Sequence, residues 1–407
     1  MLSANLRSAS LLPPVTSLRD RGLFALLFVA LATVIASAQV TDWPEFQFSN
    51  NRLGFNPYED TLGVSNVNQL GIVWQAHPVG DVIYASPAIA NGLLYDISFD
   101  SGELFALDAS TGAIVWRQNL QGQFFQSSPT VVGNVLYVGV GFFSPYYTGA
   151  VYAVNALTGQ LLWSNGNVNA IQTAPTVGNG LVYVASDFGV IYALDASSGQ
   201  IQWSYDTTLG SGTGSAGALA NGVLYMGVGQ FLFALNASDG TLLWRQETSY
   251  FIGSSPAVQN GVVYINSYDG GVYAFDAGTG AAIWHHAIRI LYFTSMSIAY
   301  GNIYLCGFDG APGLTALDAQ TGDTVWFRSV VQCNYSSPTV ANGVVYAGWE
   351  SLGAINSHIL AFDAGTGAQL WNRLVGSPIY GEPIVVNGKL YITAYSGEVT
   401  AFGLNQN

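Results

Sequence analysis

The chain has 407 residues, of which 50% are hydrophobic and only 8% charged, with 24 acidic residues against 10 basic ones and a formal net charge of −14. Such a surface repels nucleic acid and anionic lipid, which excludes a phosphate-backbone binder. Past the N-terminus no second long apolar segment occurs, so the apolar residues must be spent in short strands, and the expected class is all-β.

In chain order, residues 1–38 read as a signal peptide. Arg7, Arg19 and Arg21 precede an apolar run from residue 22 to residue 35, which ends in Ala36-Ser37-Ala38, a small-x-small cleavage pattern. The run is shorter than the roughly 20 apolar residues a bilayer span needs, and no Cys lies near Gln39 to carry a lipid, so no stable membrane anchor is expected. Losing three Arg and one Asp with this segment takes the formal charge from −14 to −16. The mature protein is expected to span residues 39–407 as a single domain, secreted or periplasmic.

Residues 70–407 repeat. Trp74, Trp116, Trp163, Trp203, Trp244, Trp284, Trp326 and Trp371 follow one another at intervals of 42, 47, 40, 41, 40, 42 and 45 residues. A period of that size means a propeller or another repeat array. Seven of these Trp close the same motif, from LDASTGAIVW at Trp116 to FDAGTGAQLW at Trp371, which reads as strand, tight turn and strand. Asn-Gly or Gly-Asn pairs give an independent count: Asn91-Gly92, Gly133-Asn134, Asn179-Gly180, Asn221-Gly222, Asn260-Gly261, Gly301-Asn302, Asn342-Gly343 and Asn387-Gly388, each followed by a Tyr within three residues. Eight inner hairpins predict eight blades of four antiparallel strands. The ends are unequal: Trp74 has no turn motif before it, and the turn at Ser396-Gly397 has no Trp after it. Leu70 to Trp74 is therefore expected to supply the outer strand of the last blade and close the ring, hiding two sheet edges.

The DAxTGxxxW hairpin preceded by SP-x-V-x-NG-x-x-Y resembles the quinoprotein (PQQ-like) β-propeller repeat family, whose eight-bladed members include the pyrroloquinoline quinone (PQQ) alcohol dehydrogenases and the barrel-assembly lipoprotein BamB. Trp43-Pro44, Arg52, Gly54 and Asn56-Pro57 also resemble the lead-in of secreted members. The resemblance implies that the eight spaced Trp are structural and dock between blades. For the dehydrogenases it further implies Ca²⁺ held by oxygen ligands against a quinone, a catalytic Asp, two adjacent Cys, a Trp floor and longer loops. This chain departs from that pattern. Cys306 and Cys333 are not adjacent, and the VGVGFFSPYYTG stretch after Tyr137 has no Asn or acid. No cofactor, metal site or catalytic residue is expected, with PQQ and Ca²⁺ as the alternative. The adjacent His285 and His286 point to opposite sides of a strand and cannot jointly chelate.

Loops entering the inner strands and loops leaving the second strands share one face, the mouth. The approaches carry Tyr84, Phe124, Phe125, Tyr250, Phe251, Tyr292, Phe293, Tyr335 and Tyr380, with Glu382 in place of the Ser before Pro383. Lengthened exits carry Phe142, Phe143, Tyr146 and Tyr147 in one case, and Trp349, Glu350 and His358 in another. An aromatic, weakly acidic funnel is expected, suited to a protein, peptide or glycan, set against the alternative that these rings only fill the channel. Cys306 and Cys333 fall on the same face, where export permits a disulfide worth roughly 3 kcal/mol on the loop-entropy model.

Overall fold

The computed structural model describes residues 42–120, 127–141, 148–210, 214–288, 294–308, 312–329, 336–349 and 357–404. In blade 1 the strands Ala88–Ala90, Leu93–Ile97, Glu103–Asp108 and Ile114–Asn119 pair antiparallel in chain order. The same four-stranded order recurs over residues 130–169, 176–206, 218–247, 257–287, 297–329 and 339–374 as blades 2 to 7. Blade 8 takes its first three strands from Ile384–Val386, Lys389–Thr393 and Val399–Leu404 and its outermost from Leu70–Ala76, with Leu70 opposite Leu404 and Ala76 opposite Val399. The protein is an eight-bladed β-propeller closed by its N-terminal strand, as the repeat predicts. Ser396-Gly397 lies between the second and third strands of blade 8; the outer hairpin that the DAxTG motif makes elsewhere is absent there because the outermost strand is Leu70–Ala76, which does not follow Val399–Leu404 in the chain.

The repeated residues hold blade to blade. In every outermost strand the residue before the Trp sits at a register shift, for example between Trp116 and Ile114, a bulge that turns the indole toward the next blade. Seven indoles then donate to the carbonyl of the Ala in the next DAxTG turn, from Trp116 Nε1 to Ala156 O at 2.8 Å to Trp284 Nε1 to Ala319 O at 3.2 Å. Six of those carbonyls also accept a Tyr hydroxyl from the same neighbouring blade, as Ala237 O does from Tyr183 at 3.0 Å. The turn Gly must be Gly: at φ +72, a Cβ on Gly199 would stand 2.4 Å from the Trp163 ring. One hairpin differs from its expected position. In blade 6 Ala299 pairs with Asn302, so the turn is Tyr300-Gly301, with Tyr300 at φ 53. Its ring packs edge-on against Phe55 at 5.2 Å and its hydroxyl accepts from Gly343 N at 2.9 Å, contacts that offset the left-handed backbone.

Residues 43–56 run around the inside of the ring and meet the middle residue of all eight first strands. Trp43 exchanges two backbone bonds with Ile89 at 2.7 Å each, and Pro44 O accepts from Val131 N at 2.7 Å. Asn50 Nδ2 donates to Val177 O at 3.0 Å, while the carbonyls of Asn50, Asn51, Leu53 and Gly54 accept from Leu219, Val258, Ile298 and Val340. Asn56 Nδ2 completes the circuit on Val385 O at 2.8 Å. Left-handed backbone at Gln47, Phe48, Arg52 and Gly54 curls the segment to fit. Residues 57–69 then cross to the junction of blades 7 and 8, where Leu62 and Val67 pack with Tyr346 and Trp371 in place of the missing turn.

Candidate functional site

At the mouth the backbone entering four of the blades is stapled to the next by a serine. Glu382 N donates to Ser86 Oγ, Ser86 N to Ser128 Oγ, Ser255 N to Ser295 Oγ and Ser295 N to Ser337 Oγ, all at 2.8 to 3.0 Å. In blades 3 and 4 the equivalent residues are Ala174 and Ala216, and the chain of staples breaks. A cavity of about 90 Å³ opens there, lined by Ser128, Thr173, Ala174, Ser215, Ala216, Ser254 and Ser295 among others, with Phe46 of the inner segment among its walls. The Arg52 guanidinium is bonded to carbonyls of the same two blades, with Nε on Gly217 O at 2.9 Å and Nη2 on Pro175 O at 3.2 Å. Glu45 Oε2 lies 3.0 Å from Arg52 Nη1, in an ion pair whose Arg side chain is fully buried.

The structure sorts the expected mouth residues. Tyr84 and Tyr380 stack at 4.9 Å, and both meet Tyr395 edge-on at 5.4 Å; Phe99 stands 4.7 Å from Tyr84. Phe99 and Tyr395 come from the second-strand exits of blades 1 and 8 and were not among the expected residues, although FDSG and YSGE each put an aromatic just before the exit turn. Tyr250 and Phe251 form a separate exposed pair, edge-on at 5.2 Å. Trp349 lies 4.6 Å from His358, and its buried Nε1 has no hydrogen-bond partner among the described residues. Phe124, Phe125, Phe142, Phe143, Tyr146, Tyr147, Tyr292, Phe293, Tyr335, Glu350 and Cys333 lie outside the described residues. Cys306 is disulfide-bonded.

Glu382 does not face the mouth. It is 1% exposed, and its carboxylate is taken up by the inner segment: Oε1 accepts from Gln47 N at 2.7 Å and Trp43 Nε1 at 3.2 Å, Oε2 from Gln47 Nε2 at 2.7 Å. Burial pushes its pKa up to about 8, against those hydrogen bonds and Arg52, which pull it down. A second buried acid, Asp96, occupies a second-strand position that is apolar in the other seven blades. Its Oδ1 accepts from Ile97 N at 2.8 Å, and burial holds its pKa well above the usual carboxylate range. The acid in the otherwise apolar run LLYDI was the available signal.

The quinone and Ca²⁺ that the resemblance implies would need a roomier, charged site. Small-molecule sites begin at roughly 300 Å³. This cavity is about 90 Å³, its described lining carries no charged side chain, and no group of three His, Cys, Asp or Glu occurs among the described residues that could hold a metal ion. This cavity does not fit a tricyclic tricarboxylate with its cation.

Comparison with known proteins agrees with the repeat. The family model described as outer membrane protein assembly factor BamB matches residues 63–141, 139–228 and 206–402. Tetrathionate hydrolase of Acidithiobacillus ferrooxidans is 24% identical over 237 residues, 49% of this chain and 47% of that protein. BamB of Yersinia pestis is 29% identical over 206 residues, 46% of this chain and 52% of that protein. The matches thus span about half the length of these relatives. In structure, quinohemoprotein alcohol dehydrogenase of Comamonas testosteroni superposes with a TM-score of 0.74 at 16% identity, covering 95% of this chain and 85% of that one. BamB of Moraxella catarrhalis gives 0.67 at 18%, covering 82% and 99%. These identities carry the fold, and the family model, matching the repeats from residue 63 to residue 402, places this chain in the PQQ-like β-propeller family described as outer membrane protein assembly factor BamB.

Proposed function

We propose that the chain is a non-enzymatic binding scaffold, exported by a cleaved signal peptide, that engages a protein, peptide or glycan through the mouth. The Tyr84, Phe99, Tyr380 and Tyr395 cluster carries this reading: four rings from two blades meet at the mouth, and Tyr395 remains 36% exposed. Rigid aromatic surface of this kind supplies contact area at low entropic cost. The relatives named as assembly factors are consistent with a protein partner. No helix among the described residues is long and apolar enough to cross a membrane. The Cys306–Cys333 pairing, tested by counting free thiols in unreduced protein, belongs to the same picture of export.

The test is binding to peptide and glycan arrays with wild type and Tyr380→Ala/Tyr395→Ala. Loss of binding at an unchanged melting temperature supports the reading; a lowered melting temperature with binding intact makes the rings core filling. A PQQ- and Ca²⁺-dependent oxidoreductase is the second reading, favoured by the overlap with quinohemoprotein alcohol dehydrogenase. Ca²⁺-dependent stabilisation by PQQ, together with a bound-quinone spectrum, would establish it over the first.

A further inference from the structure

We infer that the cavity beside Ala174 and Ala216 is a binding site for a small oxoanion or terminal carboxylate, held by hydrogen-bond donors without a cationic side chain. The donors are left over from the broken staple. In four other blades the equivalent N–H finds the next blade's serine, as Ser86 N finds Ser128 Oγ at 2.9 Å, while Ser337 N, which precedes Glu382 in the ring, makes no such bond among the described residues and does not line the cavity. Among the described residues the N–H groups of Ser128, Ala174 and Ala216 have no such acceptor, and all three residues line the cavity. Buried N–H groups without acceptors are rare, and where several converge they form an anion-binding concavity.

Hydroxyls add to the set. Ser215 Oγ accepts from Gly227 N and Ser254 Oγ from Asn266 N, both at 2.9 Å, as Ser128 and Ser295 accept from Ser86 and Ser255. Each of the four has its own hydrogen still to give, because a hydroxyl is one donor as well as an acceptor and none of them donates to another described residue. A wall of N–H and O–H donors calls for a ligand that brings oxygen acceptors and no hydrogens. The volume of about 90 Å³ limits it to one small group. A free oxoanion and the carboxylate ending a peptide share that chemistry.

The site can be closed by the residue the repeat itself uses. Ala174→Ser/Ala216→Ser would restore the staple, supplying hydroxyl acceptors to Ser128 N and Ala174 N and occupying the cavity, while the rim aromatics stay untouched. Calorimetric titrations at constant ionic strength would use sulfate, acetate, and a pentapeptide with a free or an amidated C-terminus, against chloride. Saturable binding to wild type that weakens at least tenfold in the double variant is expected. Binding of sulfate and acetate identifies a free-oxoanion site; binding of the free-acid peptide alone identifies a chain terminus. No saturable binding of any of the three oxygen ligands, or equal binding by wild type and a folded double variant, overturns the inference. Should the variant not fold, preference of wild type for the free-acid over the amidated peptide, or for sulfate over chloride, still decides. This inference rests on the mouth being a binding face, but array binding through the rim survives its failure, because these substitutions leave Tyr380 and Tyr395 in place.

Discussion

The indole of a blade Trp does two separable jobs, filling the gap between blades and donating one hydrogen bond, and the ring provides its own control for the second. Trp203 Nε1 reaches Ala237 O at 3.1 Å. Trp371 faces blade 8, which has no DAxTG turn, and rests edge-on against Phe402 at 5.3 Å, with no carbonyl among the described residues accepting from its Nε1. Replacing each with Phe keeps most of the apolar surface and removes the N–H. A net hydrogen bond contributes about 1 kcal/mol. Trp203→Phe should therefore cost about 1 kcal/mol more than Trp371→Phe in urea unfolding, once the difference in packing is reduced by comparing the two Phe variants with each other. Equal losses would mean that the bond adds nothing beyond packing. The Tyr346 hydroxyl at the same junction is buried without a partner among the described residues, as expected where the turn carbonyl is missing.

At the scale of elements, the inner segment decides how the ring is held. Residues 43–56 bond every first strand, and Arg52 anchors the middle of that path on Gly217 O, Thr176 Oγ1 and Pro175 O. Arg52→Met keeps much of the bulk but leaves Glu45 buried without its ion pair, a change that typically costs 3–5 kcal/mol. Adding Glu45→Gln should recover part of that loss; if the double variant is no better than the single one, Arg52 acts through its carbonyl contacts alone. This element also marks the limit of what the sequence discloses. Blade count, hairpins and ring closure were legible because each repeats with fixed spacing, Asn-Gly for the turn and Trp for the junction. Trp43, Arg52 and Gly54 could be matched to a lead-in, yet their path could not be drawn, since a single copy has no period and its bonds run to residues as far as 339 positions away, as from Trp43 to Glu382. Glu382 was legible as an exception to the repeat but not as the anchor of Trp43 and Gln47. The broken serine staple is visible as Ala174 and Ala216 only once the neighbouring bonds reveal what a serine does there.

For the whole molecule, the acids divide into two populations with opposite effects on stability. Those in the outer turns cap their own backbone: Asp195 accepts from Ser197 and Ser198, which hold its pKa down at about 2. Asp108, Asp276 and Asp318 are lowered by the same turn contacts. A lowered carboxyl stabilises the fold above its unfolded value near 4, and that contribution is lost as pH falls through the folded value. The buried acids do the reverse. Glu382 is raised to about 8 and the half-buried Asp187 to about 6, both by burial, and burial likewise holds Asp96 well above the usual carboxylate range. A raised carboxyl contributes fully below its unfolded value, because the folded chain holds a proton the unfolded chain releases, and the contribution is lost as pH climbs through the folded value. The two populations overlap only between about pH 4 and 5, so melting temperature should peak there and decline toward pH 8. Glu382→Gln isolates one part of the alkaline limb, since the amide keeps the shape and cannot ionise. The decline between about pH 5 and 8 should be shallower in the variant than in wild type, with the acid limb below about pH 4 unchanged. Parallel profiles for the two proteins would show that Glu382 is ionised throughout, held so by Trp43, Gln47 and Arg52, and would transfer the alkaline limb to Asp96 and Asp187.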